Sequence, residues 1–309
     1  MPVLLAVLSG ICFGSWSLAL KRARKVGFDA FFAVWYGTVF GVVSAGCFVA
    51  GGAEIPGRLG SADLGSLAWG IGGGLGWGVA TLTFGYALTL VGLALGYAII
   101  LGIGMVVGTS ISMMLPSGVA QGLQVNYGIM GMLVALGGTL LSAYSGRMKS
   151  GDMEGRKNFR KGIPVCVISG LLSSLFAIGY GGARTNLGTW GAILLLVAGF
   201  WAAQLISLAA RSARGKSSLK VNGLESLLPV AGGAIFAAGV LLHYASADVV
   251  GVALSYPMMM GIQILTGNLW SIGLGEWKSA PRKALALQIL SLAMLMLAST
   301  LIGRSMLGS

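Results

Sequence analysis

Seven side chains stand out in otherwise apolar stretches because their types can do chemistry there: Trp16, Trp77, Tyr97, Gln204, Tyr256, Gln263 and Asn268. Aromatic faces combined with directional hydroxyl and amide groups suit the binding of a small polar solute. In hydrocarbon such groups must line an internal path or find partners, because an unsatisfied polar group there is expensive. For Trp16 and Trp77, lining and plain packing both stay open. His243 is the only histidine, and a near-neutral side chain inside an apolar stretch suits a proton carrier. Ser246 and Asp248 follow it closely, so a structural or gating hydrogen bond near the outer interface is the alternative. There is no Ser–His–Asp spacing, no metal-type cluster and no pair of carboxylates in the apolar stretches. No catalytic residue, metal ligand or cofactor is therefore assigned, and an enzyme is not expected. The run from Gly70 to Gly76 resembles a dinucleotide loop but lies inside an apolar stretch with no preceding strand. Gly70, Gly74 and Gly78 instead fall four apart on one helical face, a pattern for close helix packing.

The elements that must carry these groups are membrane helices. Of 309 residues, 56% are hydrophobic and 9% charged, against roughly 25% charged in soluble domains. A bilayer solvates such a surface and water does not. Apolar runs bounded by charge or turn residues give ten spans: 2–20, 28–50, 66–88, 91–114, 129–146, 163–181, 189–210, 227–245, 249–274 and 284–303. The fold class expected is all-α and integral to the membrane. The third and fourth spans are joined so tightly, through Thr89–Leu90–Val91–Gly92, that they must form an antiparallel hairpin. Cys12, Cys47 and Cys166 lie inside spans without CxxC spacing and read as small packing residues. The N-terminus lacks the positive region of a cleavable signal, so residues 2–20 read as a retained first helix.

The net charge of +12 first suggests nucleic acid, but its placement argues against that partner. Seventeen of the 20 Lys and Arg residues fall after odd-numbered spans; only Arg58, Arg184 and Arg304 fall on the other side. That segregation puts the odd loops in the cytoplasm and both termini outside, in a multi-pass inner-membrane protein.

The chain also repeats itself. Residues 91–108 and 250–267 match at 8 of 18 positions at an offset of 159. Ala6–Val7–Leu8–Ser9–Gly10 echoes Cys166–Val167–Ile168–Ser169–Gly170 at an offset of 160. Two five-helix repeats are implied, 1–150 and 163–309, joined by a cytoplasmic linker over 151–162. Five is odd, so the halves insert in opposite senses. An inverted-topology repeat serves alternating access in secondary transporters. No nucleotide motif points to an ATP-driven pump, and no charged ring or filter points to a channel.

Ten spans in a 5+5 inverted repeat resemble the drug/metabolite transporter superfamily. Leu20–Lys21–Arg22–Ala23–Arg24–Lys25 after the first helix, Gly76–Trp77–Gly78, Phe84–Gly85–Tyr86–Ala87–Leu88, the stretch Leu95 to Ile103 and Gly275–Glu276–Trp277 are similar to the L-rhamnose–proton symporter family within it. The chain departs from the family pattern at Val79–Ala80–Thr81–Leu82–Thr83 and at Ser255–Tyr256–Pro257. The resemblance implies import of a rhamnose-like or related sugar, or another small polar solute, by proton symport. Its partners would then be that solute, protons and the lipid bilayer. An exporter or facilitator of another metabolite is the second reading, a membrane enzyme or receptor the third.

Tyr97 and Tyr256 occupy equivalent places in the two repeats. Pro257 beside Tyr256 favours a local break in the ninth span, or else a fixed kink. Trp69, Trp190 and Trp277 read as interfacial belt residues. Asp29 reads as a charge facing the dipole of the second helix, Glu276 with Lys278 as an ion pair, and Glu225 as a solvated loop residue.

Overall fold

The structure is a computed structural model. It describes all residues except 1, 24, 115–122, 150–152, 216–218, 220–226, 251 and 306–309. The described residues form twelve helices and no strand: α1 (Pro2–Ser15), α2 (Ser17–Arg22), α3 (Phe28–Gly51), α4 (Glu54–Gly60), α5 (Leu64–Val91), α6 (Leu93–Met114), α7 (Leu123–Lys149), α8 (Met153–Ser173), α9 (Leu175–Ala213), α10 (Leu227–Val250), α11 (Val252–Gly273) and α12 (Arg282–Ser305). Glu225 lies outside the described residues.

Seven stretches are long and apolar enough to cross a membrane. One of them, Lys157–Ala213, has 57 residues. Straight, it would run about 85 Å, nearly three times the thickness of a bilayer core. It doubles back at Gly188, whose φ of +66° leaves the helical region. The fold brings the Leu196 side chain to 3.3 Å from where a Cβ on Gly179 would stand. With α6 and α11 the described residues make ten passages, close to the spans read from sequence. α4 is an additional short helix at one end of the bundle.

Helices distant in sequence pack together. α1 lies against α10 and α11, α8 against α5 and α6, and α3 against α9 and α10. α5 packs on α9, α7 on α12, and α6 on α11. The α5–α9 contact is the glycine face anticipated above. A Cβ on Gly74 would lie 2.1 Å from the Leu196 carbonyl oxygen, one on Gly78 2.7 Å from that of Phe200, and one on Gly70 2.8 Å from the Leu195 Cβ. Small residues let the backbones meet.

Polar contacts sort to the two ends of the bundle. At the Lys-rich end Arg211 pairs with Asp29 at 3.0 Å. Glu276 pairs with Lys21 at 3.0 Å and with Lys149 at 3.8 Å. At the opposite end Arg184 pairs with Asp248 and Arg58 with Glu54. There Asn186 bonds the Asp63 carboxylate, which also accepts from the Ser66 backbone as the N-cap of α5. The Ser66 hydrogen bonds hold the Asp63 carboxyl below the usual range.

Three details differ from the sequence reading. Glu276 does not pair with Lys278, whose side chain packs along Gly275. It reaches across to α2 and α7 and also accepts the Leu93 N–H at 3.0 Å, capping the bare N-terminus of α6. Burial alone would raise the Glu276 carboxyl, but Lys21 and Lys149 bring it below the ordinary carboxylate range. Trp277 is not a belt residue: it is buried, donates to Ser271 Oγ at 3.0 Å and lies under the Lys149 ammonium. Pro257 does not break α11, which runs on through it; it sits in the second turn, where the helix forgoes the one bond its N–H would have made to the carbonyl of residue 253. The hairpin between α5 and α6 is as tight as expected, with Gly92 alone between them at φ +84°.

Candidate functional site

Two helix junctions lie elsewhere, at Trp16 between α1 and α2 and at Ser174 between α8 and α9, and at both the backbone keeps helical angles. Both sit beside a small central cavity of about 50 Å³. Phe13 and Trp16 line it from the first passage, and Trp77, Thr81 and Phe84 from α5. Leu101 of α6, Ser173 and Phe176 at the α8–α9 junction, Phe236 of α10, and Tyr256, Met259, Met260 and Gln263 of α11 complete the wall. No charged side chain is among these residues.

The aromatic wall is continuous. Trp77 lies 4.5 Å from Phe176 and 5.8 Å from Phe236, ring centre to ring centre, and Phe236 is 4.7 Å from Phe13 and 6.0 Å from Trp16. Behind it Trp35, Tyr36 and Phe200 form a second, fully buried layer. Flat faces of this kind accept the C–H side of a solute, and the few polar groups among them fix its orientation. Those groups are Thr81, Ser173, Tyr256 and Gln263. Thr81 and Ser173 spend their hydroxyl protons on Trp77 O and Ser169 O within their own helices, which leaves their oxygens as acceptors. The Tyr256 hydroxyl has no hydrogen-bond partner among the described residues.

Of the seven binding candidates, the structure brings Trp16, Trp77, Tyr256 and Gln263 to the cavity. Tyr97 stands one layer back, edge-on to Phe84 at 5.0 Å. Its hydroxyl bonds the Phe13 carbonyl at 3.1 Å and Ser17 Oγ at 3.0 Å, bracing the first passage at the α1–α2 junction. Asn268 accepts from Gln288 at 3.0 Å, and Gln288 accepts from Ser142 at 3.0 Å, tying α11 to α12 and α7 away from the cavity. Gln204 is buried on α9 and does not line the cavity. His243 is fully buried behind Phe176, at 5.7 Å between ring centres, and 6.2 Å from Tyr256. Neither of its ring nitrogens has a hydrogen-bond partner among the described residues.

Sequence reasoning passed over Phe176 and Phe236, which form much of the wall. A signal existed: they lie 160 residues after Trp16 and 159 after Trp77, at the offsets of the internal repeat. Leu101 and Met260 are related in the same way, as are Phe13 and Ser173.

No family model matches the chain. Among curated proteins it is similar to the L-rhamnose–proton symporters of Pectobacterium atrosepticum (24% identity, covering 74% of this chain and 76% of that one) and Pectobacterium carotovorum subsp. carotovorum (24%, 74% and 76%). The symporter of Cronobacter sakazakii is 23% identical over 74% of this chain and 75% of its own. A solved crystal structure of a protein aligns with all of this chain and 99% of its own, with a TM-score of 0.64 at 16% identity. The full-length alignment establishes a shared fold. The curated relatives carry the likeness first noted in short motifs across three quarters of the chain.

Proposed function

We propose that this chain, a relative of the L-rhamnose–proton symporters, imports a rhamnose-like sugar or a related polar solute with protons, by alternating access between two inverted repeats. The observation that carries the reading is the central cavity, an uncharged aromatic box where both halves of the chain contribute walls.

The repeat reading is supported by contacts that recur at its offsets. Ser9 donates to the Gly239 carbonyl at 2.7 Å, and Ser169 donates to the Ala80 carbonyl at 2.8 Å. A Cβ on Gly10 would meet Ile262 and the Met259 carbonyl; one on Gly170 would meet Ile103 and the Ile100 carbonyl. Gly267 lies under the Tyr97 ring and Gly108 beside the Tyr256 ring. In each pair a residue of one repeat touches the other repeat, and the roles are then exchanged. Such an interface has two related arrangements, which is what opening the cavity to either side requires. The Lys-rich end is read as cytoplasmic, so that both termini and the Asp248 end face outward.

Trp16, Trp77, Tyr256 and Gln263 are the substrate contacts in this reading. Tyr97, Gln204 and Asn268 support the walls. His243, beside the cavity and without a hydrogen-bond partner among the described residues, is the proton-coupling group, its imidazole loaded when sugar is bound. Proton and sugar then favour the same state, and each raises the other's affinity.

The test is uptake of radiolabelled L-rhamnose by proteoliposomes with and without an inward proton gradient, for the wild type and His243→Gln. The expectation is gradient-driven accumulation in the wild type and passive equilibration in the variant. Accumulation undiminished in the variant removes His243 from coupling; no gradient effect in the wild type rejects symport. Thermal stabilisation across a panel of neutral sugars then ranks substrates.

A further inference from the structure

Eight buried side-chain polar atoms among the described residues have no hydrogen-bond partner, and four of them belong to three residues, His243 and two tyrosines whose rings contact it. They are both nitrogens of His243 and the hydroxyls of Tyr244 and Tyr256. The His243 ring centre is 5.0 Å from that of Tyr244 and 6.2 Å from that of Tyr256, with Phe176 packed against all three. Buried polar groups without protein partners are ordinarily satisfied by internal water, which needs several of them together. Tyr256 carries the group to the cavity wall.

The cluster also reaches outward. The Tyr244 ring lies 4.4 Å from that of Tyr180, on α9. The Tyr180 hydroxyl donates to Thr189 Oγ1 at 3.3 Å, and Thr189 donates to Asp248 Oδ1 at 2.5 Å. Thr189 and Asp248 line an open cleft of about 240 Å³ at that end of the bundle, and the Asp248 side chain is 47% exposed. Hydrogen bonds thus join the Tyr180 hydroxyl to the Asp248 carboxylate, and ring contacts continue from Tyr180 through Tyr244 to the buried His243 imidazole.

We propose that Asp248, Thr189, Tyr180, Tyr244, His243 and Tyr256 form a hydrated proton route from the Asp248 end of the bundle to the wall of the central cavity. This rests on the symport reading. A proton collected at the Asp248 carboxylate passes by exchange of O–H protons along the hydroxyls and the water between them. It binds a lone pair of an imidazole nitrogen, and the imidazolium returns it to water when the cavity opens at the Lys-rich end. No covalent bond other than O–H and N–H changes. The other titratable neighbours are few. Cys47 of α3 stands near Tyr244, Cys12 of α1 packs one turn away on Gly239, and Arg184 pairs with Asp248 and lies over the Tyr180 ring. Tyr180 and Tyr244 are positioning residues, since neither touches the cavity.

Two experiments test the route. Radiolytic hydroxyl-radical footprinting labels buried side chains that stand beside bound water, and it needs no substrate. Tyr244 and His243 should be oxidised at least five-fold faster than Tyr36 and Tyr97. All four are buried, but the last two have hydroxyls bonded to Gly78 O, and to Phe13 O and Ser17. Labelling of Tyr244 and His243 no faster than that of Tyr36 overturns the proposal. The second experiment compares L-rhamnose counterflow with gradient-driven uptake between pH 5.5 and 8 for Tyr180→Phe and Tyr244→Phe, which keep the rings. The route requires counterflow to stay within two-fold of wild type while gradient-driven uptake falls several-fold and its pH profile shifts. Equal loss of both activities, or no loss of either, overturns the proposal. A wild type without L-rhamnose counterflow refutes the transport reading and leaves the footprint to decide whether the hydrated route exists.

Discussion

Replacing Gly74 with alanine adds one methyl group where the α5 and α9 backbones approach most closely among the described residues. The new Cβ would stand 2.1 Å from the Leu196 carbonyl oxygen and 3.0 Å from the Leu196 Cα. Carbon and carbonyl oxygen rest at about 3.3–3.6 Å, so α5 and α9 must part locally by about 1.2 Å or more. The obstacle is backbone on both sides, and no side chain can turn away. Overpacking of this kind costs about 1–3 kcal/mol, and the lost dispersion along the Gly70–Gly74–Gly78 face adds to it. Opposing this, alanine is favoured over glycine in a helix by about 1 kcal/mol. Gly72→Ala isolates that second effect, because nothing lies within 4 Å of a Cβ there. Thermal unfolding of the purified protein in one detergent should place Gly74→Ala several degrees below wild type and Gly72→Ala at or slightly above it. Equal melting temperatures for the two variants would refute the assignment of this face as the α5–α9 contact.

Removing the Glu276 carboxylate with Glu276→Gln should destabilise the protein by about 1–3 kcal/mol, since Lys21, Lys149 and the N-terminus of α6 lose their common counter-charge. Because the folded carboxyl lies below its ordinary value of 4.5, that stabilisation is complete at neutral pH. It is lost as pH falls through the folded value, so melting curves of wild type and variant should converge in acid. Tyr256→Phe should raise the KM for the transported sugar by up to about ten-fold, one hydrogen bond's worth; an unchanged KM takes the hydroxyl out of the site. A reporter active only in the cytoplasm, fused after Ser309, should be silent, and a bright signal would reverse the assigned orientation.

Much of the architecture was legible because bilayers impose a coarse rule. Apolar length, basic loops and the Gly70–Gly78 spacing are one-dimensional signals, and helices α3, α6 and α12 begin and end within about two residues of the spans read from them. The site was half legible. Trp16 and Trp77 were found as large polar-tipped aromatics, while Phe176 and Phe236 carry no polar atom and look like any core residue until the repeat offset is applied. Glu276 was misread because proximity in sequence favoured Lys278, whereas the fold delivers Lys21 and Lys149 from other helices. Tyr97 and Tyr256 look equivalent in sequence, yet Ser17 engages Tyr97 while position 177, its counterpart, is alanine. One hydroxyl is therefore tied down and the other left for use.

The packing of early helices against late ones also bears on how the protein is made. The first helix, α1, has its main neighbours in α10 and α11, which begin at Leu227 and Val252. A ribosome adding about 5–20 residues per second needs roughly 10–40 s to reach them. For that time the Gly10 and Gly14 face and the Ser9 hydroxyl have no native surface to meet. The nascent first helix must be sheltered by lipid or by the insertion machinery, and truncated chains ending before α10 should be rapidly degraded.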